Sequence, residues 1–323
     1  MVDTKREVLL TVRCLTYNHA PYIRQCLESI VTQKTNFAFK ILVHDDASTD
    51  GTTDIVREFA ARYPDIIETN IKKENLYSHD YRKFQHTIYS GFEGKYVAWC
   101  DGDDYWCDEY KLQKQVDFLE SNQQYMLVCS NAKTVDKDDK EVYRNRTRRL
   151  GENAASDLVC GCNPIISSSA CFRRELISDY TKLIPEMPFE AKMGDYPLWI
   201  FISLRGQIYQ FDENLVAYRV LNSSASHSHD VAYITGFRNS SQELALWFNA
   251  HYNIGVSERK IKHAFSRIRL RELSEFDRAT YWGEYKNAVK NNWQIIFNPK
   301  LLVITIIRML LNMRVSSFVE RLR

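Results

Sequence analysis

Acidic and polar side chains occur in three short segments, each directly after an apolar run that predicts a buried strand. Residues 16–19 are Thr-Tyr-Asn-His, residues 44–52 are His-Asp-Asp-Ala-Ser-Thr-Asp-Gly-Thr, and residues 101–106 are Asp-Gly-Asp-Asp-Tyr-Trp. In open parallel sheets, ligands bind at the carboxyl ends of the strands. The three segments therefore predict one binding site along one edge of a sheet.

The third segment places three carboxylates within four residues, at Asp101, Asp103 and Asp104. Clustered carboxylates repel one another unless a cation lies among them. Oxygen ligands of this kind suit Mg²⁺ or Mn²⁺. A solvated acidic turn is the alternative, because Asp and Ser also cap the helices that follow strands. A calcium loop of the EF-hand type is excluded, since its twelfth position, counted from Asp46, requires a glutamate and is Arg57.

Strands and helices alternate from residue 7 to residue 131, and these elements would position the three segments. Apolar runs predict strands over residues 8–15, 39–43, 66–69, 96–100 and 126–129. Helical spacing of apolar residues predicts helices between them, the third over residues 81–92. Such alternation builds crossover units and a largely parallel sheet. The predicted fold class is α/β, with a Rossmann-like, mostly parallel central sheet flanked by helices.

The rest of the chain is less regular and ends in helices. Residues 133–150 are charged and predict a protruding loop or hairpin, whereas residues 165–172 and 215–220 predict strands. Helices are predicted near residues 174–182 and 196–204, and throughout the chain beyond about residue 233. Small polar residues near 225–232 indicate a boundary. We predict two regions, a catalytic domain at residues 1–228 and a helical C-terminal region at 229–323.

The overall composition is that of a globular protein, with 45% hydrophobic and 26% charged residues and a net charge of +2. It excludes disordered, collagen-like and disulfide-framework proteins. Charge is nevertheless uneven, because residues 259–323 carry 14 Lys and Arg against 5 Asp and Glu, which is +9. A basic end predicts an anionic partner surface. A membrane fits better than nucleic acid, because no nucleic-acid-binding motif accompanies the charge.

The location predicted from the sequence is cytoplasmic. The eight cysteines form no CxxC pair and most lie in apolar runs, which predicts buried reduced thiols. The first residues lack the apolar core of a signal peptide, and no apolar run reaches the roughly 18 residues of a membrane span. Residues 301–313 are mostly apolar and flanked by basic residues, which predicts an interfacial helix on the inner face of the cell membrane. Packing against the catalytic domain, or in a homodimer, is the alternative.

The three segments and their spacing resemble glycosyltransferase family 2, over roughly residues 7–225. Residues 100–120 look like the subset that builds bacterial surface polysaccharides. The resemblance implies the GT-A fold, a nucleotide-sugar donor and inversion at the anomeric centre. It also implies that Thr16, Tyr17 and Asn18 line the nucleoside pocket, that Asp46 accepts a hydrogen bond from the base, and that Asp101 contacts the ribose.

The same resemblance assigns Asp103 to the metal, Mn²⁺ or Mg²⁺, which neutralises the departing diphosphate. Asp104 is adjacent to Asp103. It is predicted either to bind the metal as a second ligand or to support Asp103 without contacting the metal. Many members carry an Arg-Asn pair before the fourth strand. This chain offers Arg82, Lys83 and His86 there, and Arg82 is our candidate for contacting the donor.

An inverting transfer needs a base that removes the proton from the attacking hydroxyl. The family places an Asp at the start of a helix for this task, and Asp195, 92 residues after Asp103, matches it. A helix cap is the alternative, in which case Glu186, Glu190 and Asp212 become the candidates. Members also often carry a His after the Tyr-Arg of the last strand. Here Val-Leu-Asn follows at that point, and only His227 or His229 could substitute.

We therefore predict a metal-dependent inverting glycosyltransferase that moves one sugar from a nucleotide-sugar, preferably a UDP-sugar, to a glycan or lipid-linked acceptor. The process would be bacterial surface polysaccharide biosynthesis. A nucleotidyltransferase is one alternative, although it would need a Gly-rich loop after the first strand. A non-catalytic nucleotide-sugar-binding protein of the same fold is the other.

Overall fold

The computed structural model describes residues 7–144, 149–187, 193–221, 230–273, 278–291 and 299–310. The chain divides into two compact units. The first comprises residues 1–154, 164–190 and 194–221, and the second comprises residues 155–163, 191–193 and 222–323. The predicted boundary at residue 228 lies outside the described residues.

The described strands all belong to the first unit, and they are β1 (Val8–Thr16), β2 (Ala38–Asp45), β3 (Ile67–Ile71), β4 (Tyr96–Asp101), β5 (Tyr105–Trp106), β6 (Tyr125–Val135), β7 (Glu141–Arg144), β8 (Cys171–Arg173) and β9 (Gln207–Arg219). The helices of this unit are α1 (Ile23–Val31), α2 (Thr52–Arg62), α3 (Leu76–His79), α4 (Tyr81–Ile88), α5 (Lys111–Ser121), α7 (Glu175–Leu183) and α8 (Asp195–Ser203). Helix α6 (Ala154–Val159) comes between α5 and α7 in the chain and lies mostly in the second unit. The second unit continues with α9 (Val231–His251), α10 (Glu258–Leu273), α11 (Arg278–Asn291) and α12 (Pro299–Leu310).

The described strands form one sheet in the order β3-β2-β1-β4-β8-β6-β9-β5, with β7 paired to β6. The first four strands run parallel, and β6 and β9 are also parallel to each other. Strand β8 is antiparallel to both β4 and β6. This mostly parallel sheet, flanked by helices and followed by a helical C-terminal region, confirms the predicted fold class.

The apolar periodicity explains why α1 packs on the sheet. Ile23, Cys26, Leu27 and Ile30 are the buried residues of this helix, and they belong to the same core cluster as the inward side chains of β1. Full burial of one such side chain stabilises the fold by about 1.5–3 kcal/mol. The predicted helix spacing is therefore confirmed by the face that the helix buries.

Several predicted elements differ from the structure, and β9 begins at Gln207, eight residues before the strand predicted over 215–220. Residues 165–172 were expected to form one strand, but only β8 is extended, and a 3-10 turn at Ser167–Ser169 precedes it. The Ser169 hydroxyl donates to the carbonyl of Ile166 at 2.8 Å, and such local bonds compete with a sheet ladder. The helix expected over 81–92 ends at Ile88, and α3 precedes it because Asn75 and Asp80 each cap a separate helix start.

The second unit contains its own small core, in which Leu270, Tyr281, Ala288 and Leu301 are buried together. The hydroxyls of Tyr281 and Thr305 lie 2.8 Å apart within it, which ties α11 to α12. Among the described residues, no helix is both long and apolar enough to cross a membrane.

A buried lysine, Lys111, begins α5, five residues after the acidic segment 101–106. Its Nζ donates to Gln115 Oε1 at 2.8 Å and lies 4.1 Å from the centroid of the Trp106 ring. Gln115 donates in turn to the carbonyl of Ser169 at 2.8 Å. Burial lowers the pKa of the Lys111 ammonium to about 8 from its ordinary 10.5. Lys111 and Gln115 therefore join the start of α5 to the serine turn, Ser167–Ser169. The burial of the ammonium costs electrostatic free energy.

We expect that cost to depend on pH. Above about pH 8 the folded protein releases the Lys111 proton while the unfolded chain keeps it, so stability rises with pH. Relative to Lys111→Met, the wild-type free energy of unfolding should rise by about 2 kcal/mol between pH 7 and pH 9.5. Urea unfolding at both pH values measures the difference. Lys182→Met, at an exposed position, is the matched control, and an identical pH response of Lys111→Met and wild type would contradict the expectation.

Candidate functional site

The three polar segments meet at one edge of the sheet, because the strands that carry them end in register. Thr16 pairs with Asp45, and Leu15 pairs with Asp101. Beyond the strand ends, the Asp46 amide donates to the carbonyl of Thr16 at 3.0 Å, and the amide of the residue after Asp101 donates to Leu15 at 2.8 Å. The backbone thus brings the loops after β1, β2 and β4 into direct contact, as the sequence predicted.

Side chains lock the first loop to the second. Asn18 adopts a left-handed backbone with φ of +54°, a conformation that Asn tolerates better than most residues. Its amide donates to Ser48 Oγ at 2.9 Å, and its Oδ1 accepts from the Thr49 amide at 2.8 Å. Asp50 Oδ2 accepts from the Ala20 amide at 2.9 Å. Asn18 therefore joins the two loops through both its backbone amide and its side-chain carbonyl.

The second segment uses its neighbouring carboxylates differently. Asp45 is fully buried and accepts from the amide and hydroxyl of Ser48 at 3.0 and 2.6 Å. Asp46 is also buried, and its two oxygens accept from the amides of Leu76 and Tyr77, each at 2.9 Å. Asp46 thus fixes the start of α3 beside the loop after β1.

Close packing around Gly102 sets the distance between the first and third loops. A Cβ added at Gly102 would lie 2.6 Å from Thr16 Oγ1 and 3.0 Å from His19 Nδ1. Both of these atoms are buried, and neither has a hydrogen-bond partner among the described residues. The ring of Tyr17, by contrast, is 44% exposed beside them. Tyr17 is thus available to a planar ligand at this edge.

Asp101 forms an ion pair in a crowded electrostatic setting. Arg13 donates to its Oδ1 at 2.7 Å, and the Arg13 guanidinium lies 3.7 Å from the centroid of the Trp99 ring. Burial raises the pKa of Asp101 to about 6, and the carboxylates of Asp103 and Asp195 add to that rise while Arg13 opposes it. A cation or a hydrogen-bond donor from a ligand would relieve this repulsion.

Asp103 and Asp104 are adjacent but have opposite surroundings. Asp104 is buried, and its oxygens accept from the Ser168 hydroxyl at 2.5 Å and the Arg219 amide at 2.8 Å. Burial and the charge of Asp103 raise its pKa well above the ordinary value. The Asp103 carboxylate is partly exposed, and His19 Nε2 lies 3.9 Å from its Oδ2. In the part of the chain that the structure describes, no residue donates a hydrogen bond to it.

Arg219, at the end of β9, is a site residue that sequence reasoning missed. Its side chain is almost wholly buried, and Nε donates to the carbonyl of Asp103 at 2.8 Å. The remaining nitrogens donate to the carbonyl of Asp136 at 3.0 Å and to Gln25 Oε1 at 2.8 Å, and they pair with Asp139 at 2.8 Å. The sequence signal for Arg219 is the Tyr-Arg pair that ends an otherwise apolar strand.

Asp195 begins α8 and is held at both carboxylate oxygens. Oδ1 accepts from the Tyr196 amide at 2.8 Å, and Oδ2 accepts from the Ser167 hydroxyl at 3.0 Å. The carbonyl of Gly194 accepts from the buried Tyr89 hydroxyl at 2.7 Å, which fixes the helix start. The residue at the N-cap position is Gly194, which has no side chain that could cap the helix. Asp195 also raises the pKa of Asp101, so the two carboxylates share one electrostatic environment.

The other predicted residues are exposed or are not described. Arg82 is exposed on α4, Glu186 is exposed in a 3-10 turn, and Asp212 is exposed and paired with Arg149. Glu190, His227 and His229 lie outside the described residues. Among the residues that are described, no three His, Cys, Asp or Glu side chains form a complete metal-binding group on their own.

Comparison with known proteins gives several relatives of similar sequence. An uncharacterised protein of Mycobacterium tuberculosis is 29% identical over 222 residues, which is 69% of this chain and 60% of that protein. The chain thus matches about 60% of the length of this relative. A putative teichuronic acid biosynthesis glycosyltransferase of Bacillus subtilis is 25% identical over 69% of this chain and 83% of its own length.

The fold is shared with a solved structure. The crystal structure of S. aureus TarS with UDP-GlcNAc has a TM-score of 0.59 at 17% identity, and the match covers 88% of this chain and 81% of that chain. The sequence model described as glycosyl transferase family 2 matches residues 12–181. Because that match spans more than half of the chain and contains the loops after β1, β2 and β4, the chain belongs to glycosyl transferase family 2.

Proposed function

We propose that this protein is an inverting glycosyltransferase that transfers one sugar from a nucleotide-sugar to a glycan or lipid-linked acceptor in bacterial surface polysaccharide biosynthesis. One observation carries the proposal. The partly exposed Asp103, the ion-paired Asp101 and the doubly anchored Asp195 belong to the first unit, where neighbouring serines of one turn bond to the Asp101 amide and to the Asp195 carboxylate. Donor-side carboxylates and a candidate base are thus combined at one sheet edge.

The donor pocket would use the loops after β1, β2 and β4. Tyr17 offers an exposed side chain for stacking on the base, and the buried Thr16 would line the pocket behind it. Asn18 would shape the pocket through its backbone and amide. Asp46 keeps acceptor capacity for the base, because each carboxylate oxygen accepts more than one hydrogen bond. Asp101 would accept from the ribose hydroxyls.

A UDP-sugar is the donor that we favour. It is the kind of ligand bound in the TarS structure, which shares the fold. The acceptor class follows the B. subtilis relative, whose name describes teichuronic acid biosynthesis. Arg82 is exposed next to Tyr81 at the start of α4, and we propose that it contacts the diphosphate.

The residues present fit a divalent cation, Mn²⁺ or Mg²⁺. Asp103 offers a carboxylate to which no described residue donates, and its charge adds to the burial that raises the pKa of Asp101. Ions of this type are usually held by one or two carboxylates plus substrate phosphates, so a complete protein group is unnecessary. When bound, such an ion neutralises the leaving diphosphate. Asp104, with both oxygens engaged, would support the turn behind Asp103.

Asp195 would act as the general base. Its carboxylate is half-buried at a helix start, and the donors from Ser167 and Tyr196 occupy one position on each oxygen. The remaining lone pairs are free to take the proton of the attacking hydroxyl. The attack displaces the nucleoside diphosphate from the opposite side of the anomeric carbon, which inverts its configuration.

The function is tested with a defined panel of donors. Thermal unfolding is measured with UDP-GlcNAc, UDP-glucose, GDP-mannose and dTDP-rhamnose, each with and without Mn²⁺, because a ligand that binds the native state raises its stability. Slow release of nucleoside diphosphate from the most stabilising donor then separates an enzyme from a binding protein. Absence of stabilisation by every member of the panel would contradict the proposal.

Asp103→Asn should remove the effect of the cation. UDP alone should stabilise the variant and the wild type equally, but added Mn²⁺ should increase the stabilisation only in the wild type, because the neutral amide is a poor ligand. Differential scanning fluorimetry with UDP, with and without Mn²⁺, measures this. Asp117→Asn, on the exposed face of α5, is the matched control. Equal Mn²⁺ enhancement in Asp103→Asn and wild type would assign the cation to other residues.

Asp195→Asn should lower kcat by at least about a hundredfold, because the amide cannot accept the proton. The KM for the donor should hardly change, since the base contacts the acceptor and not the nucleotide. Steady-state release of nucleoside diphosphate gives both constants, and Asp212→Asn serves as the control. A weaker donor affinity with unchanged kcat would instead make Asp195 a donor ligand.

We also propose that the second unit associates peripherally with the inner face of the cell membrane. Leu301 and Thr305 of α12 are buried, whereas Leu302, Val303 and Ile306 are 50%, 55% and 43% exposed. An apolar helix face within a region of charge +9 fits an anionic lipid surface. A homodimer contact through the same face is the competing arrangement.

Val303→Glu should weaken binding to the membrane because it places an acidic group on the apolar face. We expect the wild type to sediment with phosphatidylglycerol-containing vesicles more than with pure phosphatidylcholine vesicles, and the variant to lose most of this binding. Val142→Glu, at an exposed position in the first unit, is the control. If the wild type ignores both vesicles and Val303→Glu converts a dimer to a monomer, the face is a protein contact.

A further inference from the structure

A turn of three serines, Ser167–Ser169, contacts both halves of the proposed site. Ser168 Oγ accepts from the Asp101 amide at 3.0 Å and donates to Asp104 Oδ2 at 2.5 Å. Ser167 Oγ donates to Asp195 Oδ2 at 3.0 Å. Consecutive residues of one turn therefore hold the acidic donor turn and the candidate base.

The turn is held firmly enough to act as a fixed reference. Trp106 Nε1 donates to the carbonyl of Ser168 at 2.9 Å, and Gln115 Nε2 donates to that of Ser169 at 2.8 Å. The amide of Trp99 in β4 donates to the carbonyl of Ala170 at 3.1 Å. Ser168 and Ser169 are fully buried. Each carbonyl from Ser168 to Ala170 is thus bonded to a different element of the first unit.

Ser167 supplies the donor that ties Asp195 to this reference. The other donor to the carboxylate is the amide of Tyr196, the next residue, which moves with α8. A hydroxyl bonded to one oxygen restricts the rotation of the carboxylate plane. The Ser167 bond therefore determines where the free lone pairs of Asp195 point relative to Asp101.

We infer that Ser167 is a positioning residue for the general base, an inference that rests on the function proposed above. It contacts the Asp195 carboxylate and acts through that contact. The expected result of its loss is a lower kcat with an unchanged donor KM, because neither the nucleotide loops nor Asp103 loses a partner.

Three variants separate the hydroxyl from the shape of the side chain. Ser167→Ala and Ser167→Val remove the donor, whereas Ser167→Thr keeps it and is isosteric with Val. We expect Ala and Val to lower kcat by about tenfold or more, and Thr to stay within about threefold of the wild type. Release of nucleoside diphosphate is measured from whichever member of the four-donor panel stabilises the protein most. Equal kcat values for the Thr and Val variants would overturn the inference.

Two further comparisons exclude a merely structural effect. Ser169→Ala removes the bond to Ile166 in the same turn without touching Asp195, and it should keep wild-type kcat. In the Asp195→Asn background, Ser167→Ala should cost little more, because residues that act through one another are not additive. A full additional loss in that background would make Ser167 independent of the base. If Asp195→Asn lowers kcat but Ser167→Ala does not, this inference fails alone; if Asp195→Asn has no effect, the proposed base fails first.

Discussion

The buried carboxylate of Asp104 is the constraint around which the carboxyl edge of this sheet is built. A buried charged or polar group costs about 1–3 kcal/mol or more when it loses its hydrogen-bond partners. Its partners, Ser168 and the Arg219 amide, come from the serine turn and from the end of β9, far apart in sequence. Satisfying one side chain therefore brings three chain segments together. The position of Asp103 follows from this arrangement, because a residue directly before an anchored one has little freedom to move.

The carboxylates of this edge divide into those that build it and those that remain available. Asp45 and Asp46 are occupied by amides and hydroxyls of neighbouring loops, and Asp104 is occupied as described. The side chains of Asp101 and Asp103 remain 31% and 15% exposed. Of the three carboxylates in the acidic segment after β4, Asp104 therefore builds the edge, whereas Asp101 and Asp103 remain available. This edge lets two carboxylates lie close to each other in spite of their repulsion.

The sequence predicted the order of strands and helices because their apolar periodicity reports burial directly. It predicted the meeting of the three loops because parallel strands end at a common edge. The serine turn could not be predicted, since its run of small residues has the same apolar flanks as a strand and differs only in local side-chain bonds. Arg219 and Ser167 were missed for a related reason, because their roles depend on partners more than twenty residues away. The two orientations of Asp103 and Asp104 likewise depend on tertiary contacts, which spacing alone does not contain.

Arg219 has a consequence that extends beyond the acidic turn. Its guanidinium bonds to the backbone of Asp103 on one side and to Asp136 and Asp139, at the tip of the β6–β7 hairpin, on the other. The hairpin is a surface connection, where sequence changes are usually well tolerated. A change at its tip would be transmitted through one rigid planar group to the carbonyl of Asp103. Divergence in a peripheral hairpin would in this way adjust the acidic turn after β4 even where the sequence of that turn stays the same.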